Sequence, residues 1–444
     1  MTTLELWWFL RGRTADDRDP RRLTTLLAVV AFATATATAT LLVVAGGYGA
    51  FTARVDDPSA GPDTDLYPVL AGIAALLLLV PLTTLSGAAA RLAVARRDER
   101  LATLRLAGAT TTQVTTLTTL DATAQALAGA VAGVVGYAAL LPAVSLLRFQ
   151  DRTFTLGELW VGVPAILAAV AVVVLVALVS ALTSLRRVLV TPLGVAARTS
   201  PPRLRARRGL VLVGALVAMP IAAGASFGSQ AVGILMIVGV LMLGFAALGA
   251  VGPFALQVVG RITGRWARRV ETLLASRRLV DDPRTAWRSV GGVALATFVA
   301  GLASLTAVFS PGDEASRWDV VLYADVRTGA LLTLGIAGVL AAVSTGVMQA
   351  GRAIDQRDAT AALVLAGAEQ RTLDRARLRE TAIPLVASVG LTTVTMLLLM
   401  APLVGFGAYQ ELPVLIELLA AIAAASLLVM LGAWAASRVA RRTS

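Results

Sequence analysis

This 444-residue chain is 57% hydrophobic and only 15% charged, against the quarter or so of charged residues usual in soluble domains, so it does not read as a soluble protein. Its 39 basic residues are all arginine, and it has neither histidine nor cysteine; disulfides, thiolate chemistry, Cys/His zinc sites and imidazole catalysis are therefore excluded. Without lysine there can be no phosphate-binding loop ending in Gly-Lys-Ser/Thr, so the chain is not its own ATPase of that class.

Residues 1–22 form a charged lead that does not resemble a cleavable signal peptide. Within it, Glu5–Leu10 has the tryptophans expected of a short helix at a membrane surface. Ten apolar stretches follow, at Leu23–Tyr48, Leu66–Ala89, Val114–Leu141, Leu159–Leu185, Leu210–Ser226, Ala231–Val258, Val290–Phe309, Ala330–Met348, Ala382–Leu403 and Leu412–Ala436. Most reach the ~20 residues needed to cross ~30 Å of hydrocarbon, and helices rather than barrel strands fit their length. The expected fold is all-α, a polytopic membrane protein of ten transmembrane helices.

Alternating the connecting segments between the two sides, with the N-terminus inside, puts all but five of the 39 arginines inside. The five outside are Arg54, Arg148, Arg152, Arg317 and Arg327. Because inner loops retain arginine, this asymmetry predicts a multi-pass protein with cytoplasmic N- and C-termini; the all-arginine usage suggests a GC-rich bacterial genome, so the expected location is a bacterial cytoplasmic membrane. The net charge of +12 is then spread over loops beside spans, where the lipid bilayer is the partner, and nucleic acid is not expected. The outer loops Gly49–Asp65 and Ser310–Gly329 are short, acidic and expected to be solvated.

An internal repeat organises the chain. Leu104-Arg-Leu-Ala-Gly108-Ala returns as Leu363-Val-Leu365-Ala-Gly367-Ala, and the same offset of 259 carries Asp121 onto Glu380 and the first three spans onto the seventh, eighth and ninth. Both copies keep one orientation, which predicts two parallel four-helix repeats plus a two-helix connector. The boundaries expected are a cytoplasmic segment at 1–22, a first unit at 23–198, a linker with two connecting spans at 199–288 and a second unit at 289–444. In each copy a short charged helix precedes the Leu-Ala-Gly-Ala element, and the glycine is expected to end a helix or admit a close contact. Spacing alone leaves two readings open: an elbow lying on the membrane, or a helix docking into a partner's groove.

The duplicated element, followed by a long span with an acid about a dozen positions on, resembles the FtsX-like permease domain of MacB-type ABC transporters. The stretch Arg187–Arg198, with Pro192 after the fourth span, is similar to that family's exit motif. The resemblance implies a permease subunit that is not itself an enzyme and binds no cofactor, moved by a separate ABC ATPase subunit that holds the ATP. It also implies a coupling helix to that ATPase at Arg97, Asp98, Leu101, Leu104 and Gly108, and again at Arg357, Asp358, Leu363, Leu365 and Gly367. The large extracytoplasmic domain usual in the family is replaced here by short loops. One chain or a homodimer would both suit two internal units. No catalytic residue and no metal ligand is expected. Asp121 and Glu380 are intramembrane or interfacial acids, with Arg377 one turn before Glu380. The alternative function is an ion-gradient-driven secondary transporter, for which Pro81, Pro164, Pro220 and Pro384 are candidate helix breaks.

Overall fold

The computed structural model describes residues 20–106, 110–190, 214, 230–304, 315–355, 362, 364–367 and 369–404, with scattered positions between 416 and 431. The expected span at 210–226 apart from Gly214, most of that at 412–436, Glu5–Leu10 and the motif around Pro192 lie outside the described residues. The helices are α1 (Pro20–Ala53), α2 (Leu66–Leu106), α3 (Thr111–Ser145), the single turn α4 (Leu156–Leu159), α5 (Gly162–Val190), α6 (Gln230–Arg265), α7 (Val270–Asp281), α8 (Pro283–Ser304), α9 (Arg317–Asp355) and α10 (Gln370–Val404). A two-stranded hairpin, β1 (Arg148–Phe149) and β2 (Arg152–Thr153), lies between α3 and α4. Seven helical stretches among the described residues are long and apolar enough to cross a membrane; they lie in α1, α2, α3, α4–α5, α6, α9 and α10. The protein is thus an all-α, multi-pass membrane protein. Helix α8 is not among the seven: it carries Arg284 and Arg288 in its first turns, and its described part stops at Ser304.

Helix α8 is nonetheless the most enclosed helix. Val293, Ala296, Phe298 and Ala300 are fully buried, and they face different sides, as in a helix surrounded by others. It packs on α9, α10 and α6, and one apolar cluster joins it to α1, α2 and α9. A second cluster joins α8 to α6, α7, α10 and Leu77 of α2.

The packing follows one order twice. Helix α1 packs on α2 and α3, and α8 packs on α9 and α10, while α2 and α9 pack on each other. Adding 259 to the bounds of α3 gives the bounds of α10. Where α1 meets α3, glycines set the spacing. A Cβ on Gly129 would stand 2.6 Å from Cβ of Thr34, and one on Gly133 would stand 2.6 Å from Cβ of Thr38. In lipid there is no hydrophobic drive between helices, so close approach of small residues supplies the contact. The threonines cost little in this helix because their hydroxyls donate back to the preceding turn, Thr34 to Val30 O and Thr38 to Thr34 O, each at 2.9 Å.

Two expectations are corrected here. The charged segment before the Leu-Ala-Gly-Ala element is no separate helix: α2 runs without a break to Leu106. Between Ala88 and Leu106 the sequence is alanine, leucine, arginine and other non-breaking residues with no glycine or proline, so nothing ends the helix where the bilayer ends. At 41 residues α2 is about 60 Å long, twice the hydrocarbon thickness. The outer loop expected at Ser310–Gly329 is helical from Arg317 onward. Ser316 and Asp319 form a cap there: the Asp319 N–H donates to Ser316 Oγ at 3.2 Å and the Ser316 N–H donates to Asp319 Oδ2 at 2.9 Å.

Candidate functional site

At the arginine-rich end, the elbows expected to meet a partner are formed by helix termini. After the first element, Thr110 caps α3 in a reciprocal box with Gln113. In the second, Gly367 adopts φ +91° with open space where a Cβ would be, so this glycine serves as a left-handed helix end and not as a close contact. Leu365 beside it is 89% exposed, an unusual position for a leucine unless something covers it. Arg97, Asp98, Leu101 and Leu104 lie on the projecting part of α2, whose side chains are outside the described set, as are Gly108, Arg357, Asp358 and Leu363. Asp121 and Glu380 occupy the same turn of α3 and α10, and both are partly buried.

Glu380 is held by a residue that proximity in sequence does not suggest. Arg278 of α7 reaches its Oε2 at 2.9 Å, whereas the side chain of Arg377 is outside the described set. Helix α7 folds back along α6 because Gly260 and Gly264 leave room: their Cβ positions would fall 3.0 Å from Val280 Cγ2 and 2.9 Å from Ser276 Oγ. Glu271 of α7 in turn pairs with Arg379 at 3.4 Å and lies 3.9 Å from Arg375, and Arg379 also donates to the Thr272 hydroxyl. The expectation for 199–288, a linker with two connecting spans, does not include α7. Its signal lies in the sequence: Ala275, Ser276 and Leu279, the buried face of α7, fall at helical spacing between Arg269 and the stop at Asp282-Pro283.

The arginine-poor end carries a second built cluster, around Arg54, which is 2% exposed. Its guanidinium donates to Glu158 through Nε (2.7 Å to Oε1) and Nη2 (3.0 Å to Oε2), to Phe149 O at 3.2 Å and to Thr153 O at 3.1 Å. Its Cζ also lies 4.3 Å from the centre of the Phe154 ring. The acceptors are presented by the hairpin, whose turn residues Gln150 and Asp151 take φ of 57° and 58°, as a two-residue hairpin turn requires. Asp325 ties α9 to this cluster: its Oδ2 accepts from Tyr67 Oη and from the Gln150 N–H, both at 2.7 Å. At the rim, Arg152 pairs with Asp57 at 2.7 Å. The Ser59 hydroxyl and amide, followed by Arg152, hold the Asp57 carboxyl down at about 2. Of the loop Gly49–Asp65, expected to be solvated, Asp56, Asp63 and Asp65 are exposed, while Phe51 and Arg54 join the hairpin in a packed cap with Phe149, Phe154 and Tyr67 at its centre.

These clusters clamp helices; none unites a nucleophile with a base. Among the described residues no group of three carboxylates could hold a metal ion. Pro81 and Pro384 lie inside unbroken helices and Pro164 in the first turn of α5, while Pro220 is outside the described residues. Compared with protein-family models, with curated proteins and with solved structures, the chain matches none.

Proposed function

We propose that this chain is the membrane subunit of an ABC-type transporter of the FtsX-like kind, with a separate ATPase docked on its arginine-rich end. On this reading the ten spans form two parallel units plus a connector, the termini are cytoplasmic and the membrane is the bacterial cytoplasmic one. The observation that carries the proposal is the elbow. Helix α2 projects far past the bilayer as a single rod, the next span, α3, starts from a capped turn at Thr110, and the corresponding elbow of the second unit presents Leu365 to solvent. A rod continuous with a span passes a push at its tip into the membrane body, which suits a partner that changes shape on nucleotide hydrolysis. The absence of lysine supports placing that hydrolysis in another chain. Export, extraction of a lipid-borne cargo and mechanical signalling all use such a device.

The test uses the absence of native cysteine. The protein purified in mild detergent from its own host is expected to bring ATP hydrolysis with it. A single cysteine replacing Leu365 or Leu104 should then crosslink to the hydrolysing subunit, and Leu365→Asp should lower hydrolysis-coupled binding roughly tenfold, as loss of a buried apolar anchor does. Purification without hydrolysis, with crosslinks to lipid alone, overturns the proposal.

A further inference from the structure

We infer that the tip where α6 turns into α7 is a seat for anionic lipid headgroups. Four apolar side chains stand exposed on it, Ile262 in the last turn of α6, Trp266 in the turn between the helices, and Val270 and Leu273 on α7, with 56, 79, 63 and 41% of their surface open. Around them Arg261, Arg265, Arg268, Arg269 and Arg277 are exposed. The one acid within 261–277, Glu271, turns inward to Arg375 and Arg379, while Asp281 and Asp282 lie at the far end of α7, where Asp282 accepts from the Thr285 N–H at the start of α8. The outward face is therefore apolar and purely cationic.

Its place relative to the bilayer selects a lipid partner. From Gln230 to Gly260 helix α6 carries no charged residue, about 45 Å of helix, which is enough to cross the hydrocarbon even when tilted. Arg261 is thus the first charge at the boundary, and Trp266 follows one turn later, at the depth tryptophan prefers. Guanidinium groups bind phosphate oxygens in pairs, and a negatively charged leaflet attracts such a cluster. The Gly260–Gly264 contact with Ser276 and the Arg278–Glu380 pair fix α7 against its neighbours, so the arginines are presented by a rigid hairpin. The inference requires only that α6 spans the bilayer, and it stands or falls apart from the ATPase proposal.

Contact quenching by brominated lipids tests it on the full chain in phosphatidylcholine/phosphatidylglycerol vesicles. The Trp266 signal is the difference between the parent and Trp266→Phe. It should be quenched about twofold more by brominated phosphatidylglycerol than by brominated phosphatidylcholine at equal content, because the negative headgroup is enriched there. At about 1 M salt, where screening shortens to ~3 Å, the preference should vanish. Replacing Arg261, Arg265, Arg268 and Arg269 by glutamine should remove it, while the matching lysine variant should keep it; the lysine variant also reports that the hairpin still folds. Equal quenching by the two lipids in the parent overturns the inference. So does the absence of quenching by either, which would place the tip against a protein instead.

Discussion

The α1–α3 and α8–α10 pairs occupy corresponding positions but are closed by different residues. Gly129 and Gly133 of α3 become Ser388 and Thr392 of α10 at the 259 offset, and both of those are fully buried. In the first pair the helices touch through bare glycine; in the second Gly301 of α8 instead receives Met396, whose Cγ would lie 2.6 Å from an added Cβ. The clamps differ as well. The first unit is fastened at its arginine-poor end by Arg54 and Glu158, and the second at its arginine-rich end by α7. Small volume at the crossing is what both pairs share; which small residue supplies it, and which end is tied down, is free to vary.

The largest expected effect tests that asymmetry directly. Gly133→Leu must push against Thr38 Cβ and Ala35 O, 2.6 and 2.7 Å from the new Cβ, and should cost more than about 3 kcal/mol, seen as loss of monodisperse protein. Thr392→Val at the corresponding site should be neutral or raise the melting temperature, because the Thr392 hydroxyl is buried with no hydrogen-bond partner and an isosteric methyl removes that penalty. Equal damage at both sites would overturn the asymmetry.

Next comes the Arg54 clamp. Glu158→Ala leaves a buried guanidinium without its carboxylate, and should cost about 3–5 kcal/mol. Arg54→Met combined with Glu158→Met should cost clearly less than the sum of the single changes, measured as a double-mutant cycle in detergent unfolding. Strict additivity would mean the pair is not coupled.

At the other end, Glu380→Gln should cost only about 1 kcal/mol, since Arg278 keeps 34% of its side-chain surface in solvent and half-exposed pairs are screened. A loss as large as that at Glu158 would make α7 as rigid a clamp as the hairpin.

How much of this was legible depends on sequence separation. The apolar helices are local patterns, read from spacing; the reciprocal cap at Thr110–Gln113 and the Ser316–Asp319 start of α9 are equally local, yet the second lies where a loop is expected. The two clamps are not local: Arg54 and Glu158 are 104 residues apart, and Arg278 and Glu380 are 102 apart. Charge counting predicts only a side for Arg54 and Arg152 and does not reveal that Arg54 is buried, because a short loop supplies its acceptors only once the hairpin has turned. The continuation of α2 was hidden for the opposite reason. Its arginines marked the end of the apolar run, yet the end of an apolar run ends a helix only if a breaker follows it.

The smallest effect sharpens the reading of the cap as a folded unit. Asp57 is an exposed rim residue whose carboxyl is held at about 2, against 3.8 for an ordinary aspartate. A depressed value means the ionised form is favoured in the folded cap, so its contribution is fully present above about 4 and disappears as pH falls toward about 2. Asp57→Asn should therefore melt slightly below the parent at pH 6, and the two curves should converge as the pH approaches 2. A gap that persists unchanged at the acid end would show that the asparagine disturbs the Ser59 turn itself and that the charge of Asp57 is not what ties Arg152 to the cap.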